Sequence, residues 1–141
     1  MFKHIIVPVD LSHEDPARHA LGVAKSNLEP GGKLTLLHVI APIPPFVVVE
    51  MGSKMPTNLD QLALAQLQEV VAKNQLPAGT ECRVEHGSAS RTILDSVTDP
   101  DRQAIVMTSH NPKFGDFLIG SIAAQVVKHA KCSVFVVRHS A

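Results

Sequence analysis

Ala104-Ile105-Val106-Met107-Thr108-Ser109-His110-Asn111-Pro112-Lys113-Phe114-Gly115-Asp116-Phe117-Leu118-Ile119-Gly120-Ser121 is the stretch that decides the fold. Ala104 to Met107 is an apolar run suited to a strand covered on both faces. A polar loop follows. Gly120-Ser121 then stands just before Ile122, Ala123, Val126, Val127 and Ala130, which recur at helical spacing. Strand, loop and a glycine opening a helix is how a parallel α/β protein builds an anion site. The helix start offers unpaired N–H groups and the positive end of its dipole.

The same alternation runs outward in both directions. Phe2 to Val9 is a buried strand. Ser12 and Asp15 suggest a capping box before a helix carrying Ala17, Ala20, Leu21, Ala24 and Leu28, which Pro30-Gly31-Gly32 stops. Leu34 to Ile40 is a second strand. Ala41 to Pro56 holds Pro42, Pro44, Pro45 and Pro56 around Phe46-Val47-Val48-Val49, which predicts a long loop, with a short edge strand as the rival. Leu59 opens a helix with Leu62, Ala63, Leu67, Val70 and Val71, ending before Pro77-Ala78-Gly79. Glu81 to Glu85 alternates like a strand near an edge, and Ser88 to Val97 is a short helix. Ser133 to Val137 is the last strand. Five strands alternating with four helices predict an open, mostly parallel α/β sheet with helices on both faces. Its ligand crevice belongs outside the carboxyl ends of the strands, where strand order reverses. Pro8-Val9-Asp10, Val39-Ile40 and the Thr108–Ser121 loop fall there.

The 141 residues make one domain, 1–141, with no internal repeat. Thirteen basic and thirteen acidic side chains balance, which argues against a nucleic-acid surface and leaves self-association easy. No apolar run spans a bilayer, and no export signal is visible, so the expected location is cytoplasmic, with no membrane partner. Cys82 and Cys132 sit in strand-like runs as reduced core thiols rather than a disulfide.

Asp10 ends the most apolar strand; it can accept from a ribose hydroxyl or an amine, hold a divalent ion beside phosphates, or cap the following turn. Val39 and Ile40 offer no side-chain chemistry, but at a strand's free end their backbone groups can read the edge of a planar base and their side chains can pack on its face. Ser109, His110 and Asn111 open the long loop, and Ser121 can cap the last helix or bind a phosphate. Lys113 is within reach of an anion but suits solvent better. The eight histidines lack H-x-x-x-H spacing and form no recognisable metal cluster. His38, between Leu37 and Val39, is assigned to structure. There is no G-x-x-x-x-G-K-[ST] loop, no G-x-G-x-x-G turn after the first strand and no nucleophile elbow.

Ile5-Ile6-Val7-Pro8-Val9-Asp10-Leu11-Ser12, Leu36-Leu37-His38-Val39, Glu85-His86-Gly87-Ser88-Ala89, Ser109-His110 through Gly120-Ser121, and Ala124 to Arg138 together resemble the universal stress protein family, in order and spacing, over essentially the whole chain. The resemblance implies a Rossmann-like domain of the adenine nucleotide alpha hydrolase-like kind, with strand order 3-2-1-4-5. It also implies a homodimer formed through the C-terminal strand, with higher oligomers open. Many members bind ATP or another adenine nucleotide, AMP or ADP, with magnesium accompanying the phosphates and Asp10 beside it. Pro8, Val9 and Asp10 would then line the nucleoside pocket, Val39 would meet adenine, and Met107 would pack near the ribose or base. Ser109, His110 and Asn111 would border the phosphates, and Gly120, Ser121 and Ile122 would hold them.

The binding branch carries G-x2-G-x9-G-[ST] after the fourth strand. Here Thr108 and Asn111 stand at the first two glycines, and only the eight residues Pro112 to Ile119 separate Asn111 from Gly120. The Ser-His-x-Pro form resembles a variant branch that keeps nucleotide binding, although Cβ atoms at Thr108 and Asn111 would crowd the phosphates. The leading expectation is a nucleotide-binding protein of stress response or signalling, with at most weak ATP hydrolysis. The alternatives are a nucleotide-free dimeric interaction protein and a small enzyme on the same scaffold.

Overall fold

β1 (Phe2–Pro8) occupies the centre of the sheet because Ile5, Ile6 and Val7 present apolar side chains to both faces, and all three are buried. The computed structural model describes residues 1–12, 17–109 and 120–138. In chain order, β1 is followed by α1 (Arg18–Asn27), β2 (Leu28–Ile40), α2 (Pro45–Met51), a 3₁₀ turn (Gly52–Lys54), α3 (Leu59–Lys73) and β3 (Glu81–His86). Then come α4 (Ala89–Asp95), β4 (Gln103–Ser109), α5 (Ser121–His129) and β5 (Ser133–Arg138). The strands are parallel, in the order β3-β2-β1-β4-β5.

Strand parity divides the core. Ile5, Val7 and Val9 share one cluster with Leu34, Leu36, Ala104 and Val106, covered by Ala20, Leu21 and Ala24 of α1 and by Leu67 and Val70 of α3. Ile6, Leu37, Ile105 and Met107 face the other way, against Ile93 of α4 and Ala123 and Val126 of α5. The helices that carry the chain from β1 towards β3 therefore lie on one face. Those that carry it from β3 back across to β5 lie on the other, as crossovers of one hand require when strand order reverses.

Three details differ from the sequence expectation. Ala41–Pro56 is not a loop: Pro44 caps and Pro45 opens α2, where a missing N–H costs nothing, and Val47 N–H donates to the Pro44 carbonyl at 2.9 Å. β2 begins at Leu28, so Pro30-Gly31-Gly32 lies within the strand rather than stopping α1, whose last residue is Asn27. Phe2 pairs with Leu28 but His4 with Lys33, and the extra β2 residues bulge out, with Gly31 at φ +77°. On α3, Leu62 is exposed rather than core-facing. Asp15, of the expected capping box, lies outside the described residues.

Two buried polar side chains lock the amino ends of the central strands. Gln103 (3% exposed) accepts through Oε1 from the backbone N–H of Thr98 at 2.7 Å and of Asp99, and its Nε2 lies 2.7 Å from His4 Nδ1. His4 Nε2 lies 2.8 Å from the Oγ1 of Thr35, itself buried. Cys82 and Cys132 are free, half-buried thiols, and burial pushes the pKa of both up.

Candidate functional site

β1 and β4 are neighbours, but they pair only from His4, Ile5 and Ile6 to Gln103, Ala104 and Ile105. On its other side β1 stays paired with β2 as far as Pro8 and Leu37, and β4 stays paired with β5 as far as Ser109 and Arg138. The β1–β4 ladder thus ends early on the carboxyl side, at the position where strand order reverses. In open α/β sheets that is where a ligand crevice lies between two strand tips.

The β1 tip is built from Pro8, half-buried at the strand end, Val9, buried, and Asp10, exposed. Val9 N–H donates to the Leu37 carbonyl at 2.9 Å, and this bond extends the β1–β2 ladder by one residue. Asp10 Oδ1 accepts from Ser12 N–H at 3.0 Å and from the Ser12 hydroxyl at 2.6 Å. The turn-capping role weighed for Asp10 in the sequence is therefore made, and it fixes the carboxylate at the mouth of the crevice.

Val39, half-buried on β2, packs with the cluster of Ile6, Leu37 and Met107. Met107 is buried in β4, and Ser109 ends that strand, half-buried. Since α5 returns the chain antiparallel to the strands and Ala123 packs in the cluster that holds Met107, its N-terminus sits at the same carboxyl edge. Gly120, rather than Ser121, is the N-cap; Ser121 and Ile122 are the first two helical residues, both exposed. The cap makes no side-chain hydrogen bond, and the first turn carries no acidic residue. The first backbone bond of the turn runs from Ala124 N–H to the Gly120 carbonyl at 2.9 Å. The N–H groups of Ser121, Ile122 and Ala123 precede it, so they have no acceptor within the helix. His110 and Asn111, with Lys113 and the rest of the altered loop, lie outside the described residues. Among the described residues no group of three or more His, Cys, Asp or Glu side chains could hold a metal ion by itself.

His38, assigned to structure in the sequence, bonds to the backbone of the β1 tip. Its Nδ1 lies 2.9 Å from the Val9 carbonyl. A carbonyl only accepts, so Nδ1 carries the proton. The sequence signal was a lone polar side chain at a strand tip, on the parity of Leu34 and Leu36, whose face is otherwise apolar.

The family model described as the universal stress protein family matches residues 1–138. The chain belongs to that family. Universal stress protein G of Salmonella typhimurium is 28% identical over 98% of this chain and 100% of its own length. The solved universal stress protein UspA from Lactobacillus plantarum is 26% identical, with a TM-score of 0.68, covering 97% of this chain and 98% of that one. A universal stress protein family protein from Arabidopsis thaliana, solved with AMP bound, has a TM-score of 0.60 at 17% identity, covering 99% of this chain and 93% of that one. That last likeness concerns the fold alone. No helix among the described residues is long and apolar enough to cross a membrane.

Proposed function

We propose that this universal stress protein binds an adenine nucleotide, ATP, ADP or AMP, in the crevice between the β1 and β4 tips, and acts through that bound state in stress response or signalling. The observation that carries the proposal is the early end of the β1–β4 ladder, beside the start of α5, whose N-cap Gly120 has no side chain and whose first turn carries no acidic residue. An apolar wall of Val39 and Met107 suits the face of a planar base, and the Pro8-Val9-Asp10 tip suits a nucleoside. Ser109, His110 and Asn111 border the phosphates, and the N–H groups at Gly120, Ser121 and Ile122 hold them. The Arabidopsis relative solved with AMP supports the ligand class.

Magnesium fits as a companion of the phosphates. Among the described residues Asp10 is the carboxylate at the β1 tip, and magnesium commonly takes one or two carboxylates together with substrate phosphate. When bound, the ion would neutralise phosphate charge. Asp10, held by Ser12, would face it. Any turnover would be at most weak ATP hydrolysis, since no base or nucleophile is assigned among the described tip residues and Asp10 already accepts from Ser12.

The partners proposed are an adenine nucleotide and a second copy of the chain through β5, in the cytoplasm. The second reading, a nucleotide-free interaction protein, is favoured by one feature: α2 buries no residue and leaves Phe46 69% and Val49 82% exposed.

Gently purified protein, once denatured, should release an adenine nucleotide identifiable by mass, and calorimetry with ATP and magnesium should show binding. Gly120→Leu should weaken that binding by about tenfold or more, because a side chain at the cap obstructs close approach to the helix N–H groups. No nucleotide released and no heat of binding would leave the interaction-protein reading. Unchanged affinity in Gly120→Leu would move the nucleotide elsewhere.

A further inference from the structure

We infer that His38 is a positioning residue for the base-binding edge of this crevice: its ring takes the Val9 carbonyl and so leaves the Val39 N–H open to a ligand. The inference rests on the nucleotide reading above and adds to it a residue that does not touch the nucleotide.

The bond pattern of a parallel ladder supplies the reason. Pro8 pairs with Leu37, and Val9 N–H donates to the Leu37 carbonyl. Continued by one step, the ladder would have the Val9 carbonyl accept from the N–H two residues beyond Leu37, at Val39. That bond is not made among the described residues; the Val9 carbonyl accepts from His38 Nδ1–H at 2.9 Å instead. Leu37 and Val39 share the same backbone parity, so the N–H and carbonyl of Val39 face the β1 tip. His38 and Ile40 face β3, where the Ile40 carbonyl accepts from Gly87 N–H at 3.0 Å.

A side chain thus substitutes for a backbone donor at the last rung. The buried Val9 carbonyl is satisfied, so the β1 tip pays no desolvation penalty for leaving the ladder. The displaced Val39 N–H lies beside the apolar wall, placed to donate to a ring nitrogen of a purine while its carbonyl accepts from an exocyclic amine. Without the His38 ring, the Val9 carbonyl would lose this partner, and the donor that the parallel ladder would next bring to it is that same Val39 N–H. The ladder would zip shut by one rung and consume the group offered to the base.

The bond requires only that Nδ1 carry a proton, which holds for one neutral tautomer and for the imidazolium alike. An asparagine amide can occupy the position of Nδ1, whereas a glutamine amide reaches towards Nε2. His38→Asn should therefore keep AMP affinity within about threefold of wild type, and His38→Ala and His38→Gln should weaken it by about tenfold, the loss of one well-placed hydrogen bond.

The second readout needs no ligand. Scalar coupling across the hydrogen bond between the Val39 nitrogen and the Val9 carbonyl carbon should be absent in wild type and in His38→Asn, and should appear in His38→Ala. Urea unfolding of each variant separates a loss of affinity from a loss of stability. Coupling already present in wild type, or AMP affinity equal in wild type and His38→Ala, overturns the inference. So does a loss as large in His38→Asn as in His38→Ala. Wild-type protein that binds no AMP overturns the nucleotide reading instead, and the coupling measurement still reports whether His38 holds the rung open.

Discussion

At Gln103 the orientation of one amide propagates through three residues. Its Oε1 faces two backbone N–H groups, which can only donate, so the amide cannot flip and Nε2–H must point at His4 Nδ1. Nδ1 is then an acceptor, His4 is neutral, and its Nε2–H donates to Thr35. Burial, first, and then the charges of Lys33 and Arg83 lower the His4 pKa, against the raising effect of Glu81. Protonation would set donor against donor. Because the folded pKa lies below the unfolded one, the unfolded chain takes up the proton first as pH falls. The contribution to stability is full above the ordinary histidine value near 6.5 and is lost progressively below it, down to the lowered folded pKa. The urea midpoint of wild type should therefore fall between about pH 7.5 and pH 5.5 by more than that of His4→Gln, which removes the titrating ring. An identical fall in both would place the acid sensitivity elsewhere. Glu81 acts separately and at lower pH: the Lys33 ammonium at 2.8 Å, bonded to it, lowers its pKa, so the benefit is lost as pH falls through the carboxylate range.

At the scale of elements, the sequence showed most plainly what burial dictates and least plainly what local geometry dictates. β1, β4 and β5 announce themselves because strands covered on both faces need runs such as Ile5-Ile6-Val7 and Ala104-Ile105-Val106. α2 was hidden because the four prolines of 41–56 look like breakers, yet Pro44 and Pro45 fall where a helix can use them. The places of Asp10 and Val39 at strand tips and of Gly120 at a helix start were legible in the sequence. The bond from His38 to the Val9 carbonyl was not, since it depends on a ladder ending one rung early. The bulge in β2 was equally silent, although its glycines carry it. A Cβ on Gly32 would come within 2.8 Å of Leu28 Cδ1 and 2.9 Å of the Glu29 carbonyl oxygen. Gly32→Ala should cost about 1–3 kcal/mol in urea unfolding, the range for overpacking; no loss would mean that the bulge relaxes freely. α2 presents the opposite case, since nothing in it is buried. Phe46→Glu and Val49→Glu should leave global stability within about 0.5 kcal/mol of wild type. The α2 amides should also exchange with solvent far sooner than those of β1. Slow exchange there would show that α2 has a partner in solution.

The whole molecule carries two unlike sheet edges. On β3, Glu81, Arg83 and Glu85 form a ladder of charge: Lys33 meets Glu81 at 2.8 Å, and Arg83 reaches Glu81 at 3.6 Å and Glu85 at 2.8 Å. Charged side chains along an edge discourage another strand from pairing with it. β5, the opposite edge, runs Ser133-Val134-Phe135-Val136-Val137-Arg138, with four half-buried apolar residues in succession and charge only at its end. Phe135 is anchored from within by an edge-to-face contact with Phe2, ring centroids 5.9 Å apart. The strand pairs with β4 from Ser133 to Arg138, and as the edge strand it leaves its outer backbone groups without a neighbouring strand in the sheet. A chain with balanced charge has no long-range repulsion to oppose a second copy meeting it there. Sedimentation across micromolar concentrations should accordingly show a dimer. Val134→Lys should weaken association by about tenfold or more, since a lysine can lay its stem along the half-buried position and hold its ammonium at the edge. Unfolding of that variant should remain cooperative, which separates a lost interface from a lost fold. Monomeric wild type throughout the range would leave the β5 edge unpaired, and unchanged association in Val134→Lys would shift the contact to the exposed apolar face of α2.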